Sequence, residues 1–193
     1  MLTQIIKPLI VFTIAIIILW IVTRLLFSKK YKAYFTSFAQ EILFVCFVIY
    51  MSWMFCATLY PTPMSFYKRS GSGGINLIPF VTTIKEFETA FSLHEVYARP
   101  FLDYLLKSTI GNVVLFVPFG FLLPQLSKYK TFMKILVASF LLSCVIETIQ
   151  FFLRFIGIYR SVDVDDIILN TTGAVLGFFM LAVFIKIYDR PQP

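Results

Sequence analysis

The chain has 193 residues, of which 59% are apolar and 14% charged, with a formal charge of +7. Soluble proteins carry roughly 45–50% apolar and about 25% charged residues, so this composition excludes a disordered chain, a disulfide scaffold and an ordinary soluble enzyme. It indicates an integral membrane protein, and 23 Phe, 10 Tyr and 2 Trp supply the aromatic belts expected at bilayer interfaces.

About 20 apolar residues cross a bilayer, and uncharged runs place five candidate spans. The first is Pro8–Thr23, whose flanking Lys7 and Arg24 can snorkel outward. Its basic cluster Arg24, Lys29, Lys30 and Lys32 follows the apolar core, and no small-x-small site is nearby, so a retained helix is expected over a cleaved signal. The second is Ile42–Tyr67, apolar to about Leu59; the third is Ser108–Ser127; the fourth is Ile135–Leu153; the fifth is Ile167–Ile185. The expected fold is an all-α integral membrane bundle of about five transmembrane helices. We divide it into 1–37 (first helix and basic connector), 38–187 (main transmembrane domain) and a tail, 188–193.

Five spans put the termini on opposite sides. One side then holds nine Lys/Arg and one acid, Asp189; the other holds eight Lys/Arg and seven acids. By the positive-inside rule the basic side is cytoplasmic, with the N-terminus outside and the C-terminus inside. The positive charge is thus a topology signal, and no nucleic-acid partner is expected. The long loop Tyr60–Lys107 lies outside, and loops of that length usually carry structure of their own. It contains Pro61, Pro63, Gly71-Ser72-Gly73-Gly74 and Asn76-Leu77-Ile78-Pro79-Phe80. Ile84, Phe87 and Phe91 then share a helical face, and Phe101, Leu102, Leu105 and Leu106 repeat one after Pro100. One or two amphipathic helices on the outer interface are expected.

The third span reads Gly111-Asn112 through Phe116-Val117-Pro118-Phe119-Gly120. Pro118 removes a backbone donor and Gly120 adds slack, so a kinked or broken helix is expected. The fourth span places Ser139, Ser143, Glu147, Gln150 and Arg154 on one face, spaced 4, 4, 3 and 4. Glu147 lies about 9 Å below the outer end, and a carboxylate at that depth marks a functional site by default. The fifth span opens with Asp163-Val164-Asp165-Asp166, and Asp166, Asn170, Gly173 and Gly177 share a face. Acids suit a helix N-terminus, but these three repel one another. Arg154, Arg160 or a divalent cation on Asp163, Asp165 and Asp166 would neutralise them. Gly173-x-x-x-Gly177 allows a helix backbone to approach closely, from this chain or from a second copy in a homodimer.

One histidine, His94, excludes a His-rich metal centre, and Cys46, Cys56 and Cys144 lack CxxC spacing and read as packed thiols. The remaining polar residues are one-sided. Asn76, Asn112, Glu147, Gln150, Arg154, Arg160, Asp163, Asp166 and Asn170 all fall on the outer loop or near the outer ends of spans. They are the candidate ligand-binding set, in an outward-facing cleft. Glu147 is the candidate general base if the protein is an enzyme.

In order and spacing, these motifs resemble the VanZ-like family of bacterial membrane proteins. The resemblance rests on Asn76-Leu77-Ile78-Pro79-Phe80, on Gly111-Asn112 with Phe116-Val117-Pro118-Phe119-Gly120, and on Glu147-x-x-Gln150. It rests further on Asp163-x-x-Asp166-x-x-x-Asn170-x-x-Gly173, with Arg160 three residues before. It spans about 42–185, and Asp165 is the position where the family pattern is loosest. It implies a link to low-level teicoplanin resistance. The expected activity is binding of an amphiphile: membrane lipid, a lipid-linked cell-wall precursor or the lipoglycopeptide itself, with no cofactor required. The alternative is a membrane enzyme that modifies a lipid head group or precursor, with Glu147 as base and a divalent cation on Asp163 and Asp166. A transporter ranks third, since no inverted repeat is visible.

Overall fold

The computed structural model describes residues 2–26, 37–59, 75–127, 130–156 and 162–188. Six helices carry nearly all of them. These are α1 (Leu2–Leu26), α2 (Phe38–Leu59), α3 (Val81–Ser92), α4 (Glu95–Leu126), α5 (Phe132–Leu153) and α6 (Val164–Tyr188). Among the described residues, α2, α4, α5 and α6 are each long and apolar enough to cross a membrane. Helix α1 spans 25 residues and holds the apolar stretch Thr13–Leu26. The chain is therefore an all-α, multi-pass membrane protein. Val137, Phe140, Leu141, Val145, Phe179, Met180 and Val183 expose broad apolar faces, which in a bilayer meet acyl chains.

Helix α1 packs on α2. Trp53 Nε1 donates to Thr13 Oγ1 at 3.0 Å, and Arg24 Nε sits 3.1 Å from Glu41 Oε2. The Arg24 guanidinium also lies 4.4 Å from the Phe38 ring centroid. The inner core is built from α2, α4, α5 and α6, where Met54, Phe116, Phe119, Ile135, Ile146 and Ala174 form one buried cluster.

Helices α4 and α6 meet backbone to backbone. A Cβ added at Gly120 would fall 1.7 Å from the Ala174 carbonyl oxygen; at Gly173 it would fall 2.0 Å from that of Val113, and at Gly177 2.0 Å from that of Val117. From Val113–Gly173 to Val117–Gly177 the contact advances four residues on both helices, so the two run in the same direction. No side chain larger than hydrogen fits at these points. Gly173 and Gly177 are thus consumed inside the chain, and the seam envisaged between two copies is made between α4 and α6. Gly120, expected to loosen its helix, serves the same contact.

Two expectations are narrowed by α4: of a kink or a break, no break is present, and of one or two amphipathic loop helices, one is separate. The helix is unbroken over 32 residues despite Pro100, Pro118 and Pro124. It also absorbs the second amphipathic segment expected after Pro100 in the loop. Packing explains both. A proline in a membrane helix is tolerated where neighbours support the backbone; Pro118 leaves the Val114 carbonyl without its helical donor, and Tyr50 Oη donates to the adjacent carbonyl, Leu115 O, at 2.7 Å. Helix α3 is the one separate amphipathic helix among the described residues. It buries Ala90 against α4 and leaves Ile84 and Phe91 exposed.

A short parallel ribbon joins the loop to the start of α6. Ile75 pairs with Val162 and Asn76 with Asp163. Asp163 Oδ1 accepts from Asn76 Nδ2 at 2.8 Å and from its near neighbour Asp165 N at 2.9 Å. Asp165, 2% exposed, accepts from Phe80 N at 2.7 Å and Thr83 Oγ1 at 2.5 Å. Phe80 caps α3 with φ 61°, a left-handed conformation that costs a non-glycine residue energy. Asp165 holds it there. Amide and hydroxyl donors thus meet Asp163 and Asp165 at the start of α6. Among the described residues no three His, Cys, Asp or Glu side chains gather as a metal site, so Asp163, Asp165 and Asp166 do not form one together.

Two stability predictions follow from these contacts, both read as unfolding of the detergent-solubilised protein. Gly120→Ala and Gly177→Ala each force α4 and α6 apart and should cost about 1–3 kcal/mol. Gly111→Ala, where an added Cβ meets nothing within 4 Å, should stay within about 1 kcal/mol of wild type. Asp165→Ala removes two hydrogen bonds to a buried carboxylate and should cost about 3 kcal/mol, with faster amide exchange concentrated in α3.

Candidate functional site

The polar stripe on α5 is buried as its spacing predicts. Ser139 and Ser143 are 0% exposed, and Glu147 and Gln150 are 4% exposed. Ser139 turns back on its own helix and donates to Ile135 O. The lower part of the stripe is thus internal, while Glu147 and Gln150 open onto a cavity.

That cavity has a volume of about 420 Å³ and sits where the ends of α2 and α5 meet α4 and the beginning of α6. Glu147 and Gln150 of α5, Asp166 and Asn170 of α6, and Asn112 of α4 line it together. Ala57, Leu115 and Ile146 supply apolar wall, and Thr58, Lys107, Ser108 and Gly111 complete it. Ile146 also belongs to the buried core, so the cavity rests directly on the packed centre of the bundle.

Five polar side chains of the cavity, those of Asn112, Glu147, Gln150, Asp166 and Asn170, are each tethered by a hydrogen bond. Asp163 N donates to Glu147 Oε2 at 3.0 Å, which ties the ribbon to α5. Gln150 Nε2 donates to Thr58 O at 2.9 Å, across to α2. Asn112 Nδ2 donates to Asp166 Oδ1, bridging α4 and α6. Asn170 Nδ2 donates to Ser143 Oγ at 2.8 Å, bridging α6 and α5. Four elements are therefore locked around one space by side chains whose other atoms remain on its walls. Such tethering sets the orientation of a polar group before a ligand arrives and lowers the cost of binding.

Of the nine residues nominated from sequence, five share this cavity: Asn112, Glu147, Gln150, Asp166 and Asn170. Asn76 and Asp163 form the adjoining ribbon, linked to the cavity by the Asp163–Glu147 hydrogen bond. Arg154 lies in a single 3₁₀ turn, Arg154–Ile156, after α5 and is not among the lining residues. Arg160 lies outside the described residues. Sequence reading passed over Lys107, Ser108 and Thr58. Lys107 had served only to mark the edge of a span, although a cation at that edge is placed to meet an anionic ligand. Thr58 gave no signal, because its contribution to Gln150 is a backbone carbonyl. Thr83, the second partner of Asp165, was passed over because only the apolar face of its helix was read.

The VanZ/LLP1 family model matches residues 47–185, nearly three quarters of the chain. The match contains α3, α4 and α5, α6 as far as residue 185, the ribbon, every cavity residue and most of α2. Neither a search of curated proteins nor one of solved structures returns a match. The order of motifs, the membrane bundle they build and the family model agree: the chain belongs to the VanZ/LLP1 family of membrane proteins.

Proposed function

We propose that the cavity binds an amphiphile, with its polar head among Glu147, Asn112, Asp166 and Asn170 and its apolar chain passing out between helices. Membership of a family linked to teicoplanin resistance narrows the class to a lipid-linked cell-wall precursor or a lipid-tailed glycopeptide. The observation that carries this reading is the cavity itself: about 420 Å³, lined by a polar set together with Ala57, Leu115 and Ile146. Ligand pockets combine mostly apolar walls with a few placed polar groups in this way. Lys107 and Ser108 are exposed residues of the lining, and Lys107 is the residue we assign to a phosphate or carboxylate. In the orientation set by the positive-inside rule, this end of the bundle faces outward, where both ligands are met.

A second reading has its own observation. Glu147 and Asp166, two carboxylates from different helices, face the same space, and paired carboxylates are the usual equipment of acid–base catalysis. Under this reading the protein alters the head group it binds.

The test is binding of labelled teicoplanin and of labelled lipid-linked precursor to purified protein. The Glu147→Gln, Asp166→Asn double variant should weaken binding of one ligand by about tenfold or more, equivalent to roughly 1.4 kcal/mol. Wild-type binding of both ligands by the double variant would contradict the proposal. Analysis of the recovered precursor separates the two readings, since an unaltered precursor supports binding and a new product supports the enzyme. Orientation is checked separately in a cysteine-free background. In whole cells, Ser108→Cys should react with an impermeant maleimide and Lys130→Cys should not; the reverse pattern would invert the topology.

A further inference from the structure

Helix α3 and the turn before it carry an apolar edge that lies outside the bundle core. Leu77, Ile78, Phe80, Ile84 and Phe91 are between 46% and 75% exposed. Soluble surfaces rarely gather large apolar side chains in this way, and such a patch marks a contact with protein or membrane. The polar groups of the same segment are engaged elsewhere. Asn76 Nδ2 donates to Asp163, while Phe80 N and Thr83 Oγ1 donate to Asp165. Phe80 is the sharpest case. Its backbone is left-handed, at φ 61°, a conformation that glycine adopts at least cost. The residue is also nearly half exposed, so neither backbone preference nor core packing accounts for a phenylalanine there.

We infer that this edge is seated in the bilayer, among acyl chains near the surface of the leaflet at the cavity end of the bundle. Three observations select lipid as the occupant. First, at about 100° per residue, α3 has three distinct sides. Thr83 and Ala90 face the bundle, with Ala90 fully buried. Ile84 and Phe91, two turns apart, share the apolar side, and Lys85 and Thr89 are exposed on the third. A helix lying flat beside a membrane bundle needs this division into protein, lipid and water sides. Second, α3 packs on α4, and Leu106, Ile110 and Val114, exposed at four-residue spacing, give α4 a lipid-facing stripe of its own. The apolar edge thus adjoins a helix that crosses the bilayer. Third, Tyr97, at the start of α4, is 69% exposed, as suits a tyrosine of the interfacial belt. The seat reaches the cavity through hydrogen bonds. Asn76, Phe80 and Thr83 join the edge to Asp163 and Asp165, and Asp163 N donates to Glu147. The position of the Glu147 wall is thereby referred to the membrane surface. The inference rests on the fold and not on the identity of the cavity's ligand.

The test places one nitroxide at a time on the full, otherwise cysteine-free chain, through Leu77→Cys, Ile84→Cys, Phe91→Cys, Thr89→Cys and Val137→Cys. Each labelled chain is reconstituted in vesicles of phosphatidylethanolamine and phosphatidylglycerol. Electron paramagnetic resonance power saturation then compares collisions with oxygen, which concentrates among acyl chains, and with a nickel chelate that stays in water. Labels at 77, 84 and 91 should show an oxygen-to-nickel ratio severalfold above that at 89 and approaching that at 137 on the lipid-facing side of α5. All three edge positions are exposed, so if one variant fails to fold the other two carry the test. Nickel access at 84 and 91 equal to that at 89 would place the edge in water, as for the docking face of a soluble partner, and would overturn the inference. So would shielding of these labels from both reagents with line broadening that disappears on dilution with unlabelled chain, which would assign the edge to a second copy. No cavity ligand is added, so either failure leaves the proposed function standing, and success does not establish it.

Discussion

The close approach of α4 and α6 is the constraint on which the rest of the molecule depends. In lipid no hydrophobic effect drives two helices together, so association relies on packing and on polar contacts between backbones that can come near. Gly120, Gly173 and Gly177 allow that nearness, each against a carbonyl of the facing helix. The same stripe of α6 then changes character. One and two turns toward its N-terminus, glycine gives way to Asn170 and Asp166, and contact gives way to a cavity. Seam and cavity are therefore successive parts of one helix face. The glycines clamp the two helices; the polar residues beyond the clamp inherit a fixed spacing.

The second constraint is the need to satisfy polar atoms at the membrane end of the bundle. An unpaired buried group costs about 1–3 kcal/mol, and the chain meets much of that cost by tying the ribbon and four helices together. The ribbon residue Asp163 holds Glu147, Asn112 holds Asp166, Ser143 holds Asn170, and Thr58 holds Gln150. Asp165 reaches in the other direction and secures the strained start of α3 at Phe80. The loop between α2 and α4 is thus attached to the site at Asn76, Phe80 and Thr83. Movement of this loop and occupancy of the cavity should consequently be linked, because both bear on the first turn of α6.

Much of this was legible before the fold was known, for definite reasons. A carboxylate inside an apolar run is expensive, so Glu147 stood out, and the helical period joined it to Ser139, Ser143 and Gln150. The same period linked Asp166 and Asn170 to the two glycines. What remained hidden depends on contacts distant in sequence. The partners of Asp165 lie 85 and 82 residues away, and a paired segment of two residues on each side has no periodicity to detect. The proline at 118 was read by its local effect, a kink or a break, because the packing around α4 comes from other helices. Lys107 was read as a boundary because charge at the end of a span has two meanings, topology and recognition, and only the cavity distinguishes them. The amide and hydroxyl donors that meet Asp165 were hidden for the same reason, since they come from elsewhere in the chain.

The central claim is that the space between α4, α5 and α6 receives a specific amphiphile from the membrane. The most direct measurement places a photo-crosslinking residue at Ser108, an exposed residue of the cavity lining, and another at Val137 on the exposed apolar face of α5. Both are illuminated in intact membranes and their adducts identified by mass spectrometry. The account predicts a defined lipid-linked or acylated adduct at position 108 and bulk phospholipid at position 137. The same phospholipid mixture at both positions would contradict it.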